Sequence, residues 1–136
     1  MSDMVNEFQK AGELIAIAKP LAGHFALHGF SENSAGSVSA ALLTVKKNIY
    51  TGICIDIACS MGFCAEHAAS AEMLKNRETQ IDMIVAVNES GRILPPCGRC
   101  REFLVQIDPA NLDTKVILEE NKIVLLRELL PYTWSI

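Results

Sequence analysis

Three cysteines and one glutamate carry the chemistry that can be read from this sequence. Cys64, Ala65 and Glu66 form one short run, and Pro96, Cys97, Gly98, Arg99 and Cys100 form a second one downstream. Three thiolates can hold a zinc ion tetrahedrally and leave its fourth position to water, the open geometry of a catalytic rather than a structural site. A zinc ion held this way lowers the pKa of its water toward neutrality. Glu66, two residues after Cys64, is spaced to take the proton from that water and pass protons on to a ring nitrogen and a departing amine, base first and acid later in one cycle. Three thiolates over-neutralise zinc to a net charge of about -1, so charge compensation is needed close by. His67, Arg99 and Arg101 sit next to the three cysteines and are the candidates for it.

Other readings of the same residues stand beside this one. A C-x-x-C pair alone also suits a structural zinc half-site or a redox pair. Cys59 would complete a closed four-cysteine site, and Glu66 would then be a helix-start carboxylate favoured by the helix dipole. Cys54 and Cys59 otherwise read as small buried hydrophobes.

The elements around these runs are expected to bring them together. Apolar residues at Val5, Phe8, Leu14, Ile15 and Ile17 repeat with helical spacing up to Pro20 and predict a first helix. Residues 28–37, rich in serine, glycine and asparagine, read as a loop. Residues 37–45 and 49–57 then read as a strand hairpin. A helix is expected from near Cys64, a buried strand over 81–88, and a helix from near Cys97, with Pro95 and Pro96 as its entry signal. Two strands over 114–120 and 122–126 follow, and a last helical turn is stopped by Pro131. The order predicts a three-layer α/β domain built on a five-stranded mixed sheet flanked by helices, with residues 1–136 as one domain. In both chemical runs a strand leads through a loop to a helix that begins at a cysteine, where free amides and the positive dipole end favour thiolate.

Composition narrows the partner. The chain of 136 residues has a formal net charge of -4 and five cysteines. The absence of a basic run or an arginine and aromatic stripe excludes a nucleic-acid footprint. No apolar run approaches a membrane span, and the polar start lacks the regions of a signal peptide. A cytoplasmic protein acting on a small molecule is the expectation. An odd cysteine count without an export signal points to metal or catalysis rather than a disulfide framework.

C-A-E at Cys64 to Glu66, followed by P-C-G-R-C-R-E at Pro96 to Glu102, resembles the cytidine deaminase family in its three-cysteine form. The resemblance extends over roughly Ser37 to Pro131. It implies the three-layer cytidine deaminase-like fold, one zinc per chain on Cys64, Cys97 and Cys100, and Glu66 as the catalytic acid and base. It also implies a homo-oligomer, a tetramer in family members of this length, whose sites borrow residues across interfaces. The substrate-binding positions it implies are Cys54, Asp56, Ala65 and Trp134. Two segments depart from the family. Where it has F-x-V-G-A-A in the first strand, this chain has Gly36 at the aromatic position and Ser39 at the glycine. Where it has N-x-E for the ribose hydroxyls, this chain has Cys54, Ile55 and Asp56. The segment around Pro96 and the RELLP ending are also similar to blasticidin S deaminase. The substrate implied is a cytosine-type ring, in cytidine, deoxycytidine or an antibiotic nucleoside; a different amino-heterocycle and a non-catalytic zinc-stabilised module are the alternatives.

Overall fold

Side chains along the strand Ile81–Asn88 alternate between two cores. Ile84 and Ala86 pack on one face of the sheet, Met83, Val85 and Val87 on the other, and that period of two fixes the layers of the molecule. The computed structural model describes residues 2–134. Its strands are β1 (Phe25–Ala26), β2 (Ser34–Thr44), β3 (Ile49–Asp56), β4 (Ile81–Asn88), β5 (Ile93–Leu94), β6 (Lys115–Glu119) and β7 (Lys122–Leu125). Its α-helices are α1 (Ser2–Ala18), α2 (Ala65–Lys75), α3 (Gly98–Ile107) and the single turn α4 (Leu126–Leu129).

The five longer strands form the expected mixed sheet in the order β3, β2, β4, β6, β7. The β4 to β6 pair is parallel and the other pairs are antiparallel. Two strands of two residues each extend it beyond the five read from sequence, β1 beside the start of β2 and β5 folded back on the end of β4. Both are too short to show a period of two, and β2 begins at Ser34, inside the stretch 28–37 expected as loop. The turn Pro109–Asp113, also unforeseen, is a 3-10 helix capped by the Asp108 carboxylate, which accepts from the Ala110 N–H.

Helix α1 covers one face, through Ala11, Leu14, Ile15 and Ala18. Helices α2 and α3 cover the other, where Ala65, Ala69, Met73, Leu104 and Val105 meet Ala40, Leu42, Ile84 and Val116. Each fully buried leucine, isoleucine, valine or methionine side chain here contributes about 1.5–3 kcal/mol. One buried polar side chain in these layers ties two elements together. Asn111 is fully buried; its Oδ1 accepts from the Ile81 N–H, and its Nδ2 donates to the carbonyls of Thr79 and Leu104, locking the end of α3 to the start of β4.

Both departures in β2 have a structural reason. Gly36 has φ +88, and a Cβ there would run into the Gly23 carbonyl, so no aromatic side chain fits at this position. The backbone bulges between Ala35 and Ser39. The Ser39 hydroxyl is buried and donates to the Ala18 carbonyl at 2.6 Å, closing the last turn of α1 onto the sheet. On the opposite face, Gly52 lets α2 approach β3 closely, because a Cβ there would meet Ala68 and the Ala69 backbone. Among the described residues no helix is long and apolar enough to cross a membrane.

A polar cluster holds the tip of the β2–β3 hairpin to the end of α2. The Tyr50 hydroxyl donates to Glu78 Oε2 at 2.6 Å, and Asn48 Nδ2 donates to the same oxygen at 2.9 Å. The Tyr50 hydroxyl, more than any other group, holds the Glu78 carboxyl below its usual range, and the bond pushes Tyr50 up to about 12. A depressed carboxylate stabilises the fold above its unfolded pKa, and that contribution is lost as pH falls through the folded value. A raised phenol stabilises below its unfolded pKa, and its contribution is lost as pH rises through about 12. The pair therefore stabilises the fold from mildly acidic to mildly alkaline pH. Thermal melts of Tyr50→Phe should lie below the parent at neutral pH and converge on it as the buffer is taken below the ordinary glutamate pKa.

Candidate metal centre

Strands β3 and β4 both run antiparallel to β2, so they point the same way and their following loops leave one end of the sheet. Helices α2 and α3 therefore start side by side. Cys64 is the N-cap of α2 and Cys97 the N-cap of α3, both in extended backbone conformation, while Cys100 lies one turn into α3 and is fully buried. The Sγ of Cys64 is 3.7 Å from that of Cys97, which is 3.6 Å from that of Cys100. Tetrahedral sulfur ligands about 2.3 Å from zinc lie about 3.8 Å from one another. The three thiols thus have the spacing of a zinc cage, and soft sulfur donors suit that ion. A ring nitrogen of His67 lies within 4.8 Å of the sulfurs of Cys64 and Cys100.

Two of the thiols border a cavity of about 730 Å³ lined by Cys64, Ala65, Glu66, Cys97 and Arg99 on one side and by Ser37, Val38, Cys54 and Asp56 on another. Glu66, on the first turn of α2, is only 5% exposed. Burial pushes its carboxyl above the ordinary range, against the pull of its own backbone N–H and the Cys100 thiol. Burial, with Glu66 next, also raises the Cys100 thiol strongly, and burial raises that of Cys64. At Cys97 burial acts in the same direction but is outweighed by the first-turn amides of Cys100 and Arg99 and the neighbouring thiols, so its pKa is lowered.

The three candidates for charge compensation are placed differently. Burial, and then the charge of Arg99, hold the His67 imidazole below its usual pKa, so it is neutral near pH 7 and offers a dipole rather than a charge. Its ring packs edge-on against Phe103 with centroids 4.0 Å apart, its Nε2 has no hydrogen-bond partner among the described residues, and it faces a groove between α2 and α3 rather than the cavity. Arg99 lines both the cavity and that groove, and its Nη1 donates to the Gly62 carbonyl at 3.4 Å. Arg101, the third candidate, donates its guanidinium N–H groups to two backbone carbonyls, those of Pro96 and Leu129.

The substrate-side expectations divide as well. Cys54, Asp56 and Ala65 line the cavity. Cys54 is 8% exposed, and its sulfur accepts from the Val38 N–H at 3.3 Å, with the Ser37 hydroxyl at the same distance, so it is engaged with β2. Asp56 is exposed, with one carboxylate oxygen 3.9 Å from that sulfur. Trp134 is not among the cavity's lining residues. It is 67% exposed, and its backbone N–H donates to Glu102 on the outer side of α3. Cys59 is exposed in the loop after β3, outside the group of converging donors, so the four-cysteine alternative lacks its fourth sulfur among the described residues. Sequence reasoning missed Glu32, Ser37 and Val38 as lining residues. The glycine inside an otherwise regular strand, Gly36, was the available signal, since it marks the bulge that turns Ser37 and Val38 toward Cys54.

Comparison with known proteins agrees with this geometry. A cytidine deaminase of Halalkalibacterium halodurans is 36% identical over 83 residues, which are 60% of this chain and 61% of that protein's length. A glutamate-to-aspartate variant of the cytidine deaminase of Mycobacterium tuberculosis superposes with a TM-score of 0.76 at 25% identity, covering 92% of this chain and 94% of that one. The cytidine deaminase of Bacillus anthracis gives a TM-score of 0.67 at 25% identity, over 90% of this chain and 88% of that one. Residues 13–115, which contain both cysteine runs, match the family described as the cytidine and deoxycytidylate deaminase zinc-binding region. With that match over most of its length, the chain belongs to the cytidine and deoxycytidylate deaminase family.

Proposed function

We propose that this chain is a zinc-dependent aminohydrolase that converts the amino group of a cytosine-type ring to a carbonyl and releases ammonia, using one zinc on Cys64, Cys97 and Cys100. The observation that carries the proposal is a carboxylate buried beside three thiols at tetrahedral spacing, on the wall of a cavity large enough for a nucleoside. The zinc, when bound, acidifies a water and polarises it for attack. Cys64 and Cys97 face the cavity, so a cation they hold is open to substrate on that side. His67 faces the other groove and is assigned a flanking role, not that of a fourth ligand. Glu66 takes the proton of the attacking water and delivers protons to the ring nitrogen and the departing amine. Its raised pKa suits this double duty, because a carboxyl drawn toward neutrality is a stronger base and a competent acid in the same cycle.

Cytidine is the first substrate to test, since the curated relative and the solved structures carry that name. Cys54 in place of an asparagine argues for weaker hold on ribose, because a thiol engaged with β2 cannot supply an amide's paired donor and acceptor. A cytosine nucleoside antibiotic such as blasticidin S is therefore the second substrate in the proposal. We propose further that the chain works as a cytoplasmic homo-oligomer, a tetramer. The exposed aromatic side chains Phe25, Phe30, Tyr132 and Trp134 support burial against other copies.

Glu66→Gln should keep its zinc and its melting temperature while ammonia release from cytidine, deoxycytidine or blasticidin S falls by about 10²–10⁴-fold, in line with loss of a general acid and base. A variant that turns over at the parent rate would remove Glu66 from the mechanism. Metal analysis after dialysis should find one zinc per chain in the parent, in Cys54→Ser, in Cys59→Ser and in His67→Ala. Cys64→Ser, Cys97→Ser and Cys100→Ser should each lose it. Zinc retained by Cys97→Ser but lost from His67→Ala would transfer the third ligand position to the histidine.

A further inference from the structure

We propose that Arg101 is a positioning residue that sets the orientation of Cys97 and ties zinc retention to the C-terminal turn α4. This rests on the assignment of Cys97 as a ligand. Arg101 holds Cys97 from both sides: its backbone N–H donates to the Cys97 carbonyl at 3.0 Å, and its side-chain Nε donates to the carbonyl of Pro96, the preceding residue, at 2.8 Å. Because the peptide group is planar, fixing the Pro96 oxygen orients the Pro96–Cys97 amide, and Cys97 keeps only its own soft dihedrals. Pro96 is buried and its ring fixes its own φ, so little slack remains upstream.

The third bond makes the link. Arg101 Nη1 donates to the carbonyl of Leu129, the last residue of α4, at 3.1 Å. That turn is anchored in its own right. The Leu126 N–H donates to the Thr114 carbonyl at 2.9 Å, the Leu126 side chain is fully buried, and Arg127 grips Asp113 with bonds of 3.1 and 2.6 Å. A guanidinium suits this position because its planar fork reaches two carbonyls at once, whereas an ammonium acts as a single point of charge. Since none of its bonds goes to sulfur, Arg101 acts through the geometry of the loop and not by neutralising the thiolates.

The test measures zinc affinity by competition with a chromophoric chelator, alongside melting temperature, in the parent, Arg101→Lys, Arg101→Met, Arg127→Gln and the Arg101→Met/Arg127→Gln double variant. Arg101→Met should hold zinc about 10-fold or more weakly, the usual consequence of losing a group that orients a metal ligand. Arg101→Lys should recover part of the loss. Arg127→Gln, far from the thiols in sequence, should weaken zinc a few-fold in the parent background and have no further effect on Arg101→Met, because both act along one path. The intensity of the thiolate-to-cobalt absorption in the cobalt(II) form should fall in Arg101→Met and not in a variant that is merely less stable. If Arg101→Met holds zinc within twofold of the parent although its melting temperature drops, or if the two substitutions add, the inference is overturned while the metal reading stands. A parent chain that takes up no zinc overturns both. Should Arg101→Met fail to fold, Arg101→Lys and Arg127→Gln still decide the question, since zinc affinity unchanged in both overturns the inference.

Discussion

Three cysteine sulfurs, with that of Cys97 3.7 Å from Cys64 and 3.6 Å from Cys100, cannot all be thiolates without a cation among them. At an effective dielectric of about 20, two unit charges at this distance repel by about 4 kcal/mol, and three such charges multiply the cost. Burial opposes their ionisation further, which is why the thiols of Cys64 and Cys100 are pushed up. The arrangement therefore stores a demand for positive charge. The fold answers with the amides at the starts of α2 and α3 and with Arg99, but those are partial or distant charges, and a divalent ion at the centre satisfies all three sulfurs.

That constraint reaches back into the sheet. Two helices can begin side by side only if the strands feeding them run the same way, and β2 lying between β3 and β4 ensures this through two antiparallel pairings. The height of α2 over the sheet is set by Gly52, and the end of α3 is set by the Asn111 hub. The buried position of Glu66 follows from the same packing, because Ala65 and Ala69 on its helix are pressed into the core.

The meeting of the three cysteines and the glutamate was legible in the sequence because their spacing is local. A cysteine at a helix start two residues before a glutamate, and a second helix start with C-x-x-C, specify ligands, carboxylate and their elements within a few positions each. The strands and helices around them were legible for the same reason, since their periods of two and 3.6 are written in short windows. What escaped depends on contacts between distant segments. The Arg101 side chain reaches Leu129, 28 residues away, and nothing in the run from Cys97 to Glu102 says that its charge goes to carbonyls rather than sulfur. Cys54 engages the Val38 N–H only because Gly36 bulges β2, and β1 and β5 exist only as partners of longer strands.

The wall opposite the thiols is built separately from the helix starts that carry them. Ser39 replaces a glycine and uses its hydroxyl to fasten α1, and Gly36 leaves no room for an aromatic ring. Cys54 stands where the family resemblance implies an asparagine, and its sulfur accepts from the Val38 N–H of the neighbouring strand, leaving Asp56, two residues on, as an acceptor-only group at that wall. None of these changes touches Cys64, Glu66, Cys97 or Cys100, which are carried by the two helix starts. The thiols and Glu66 thus sit on α2 and α3 or at their starts, and the cavity wall opposite them is built from β2 and β3. Substitutions on β2 and β3 can reshape that wall without moving the Glu66 carboxylate.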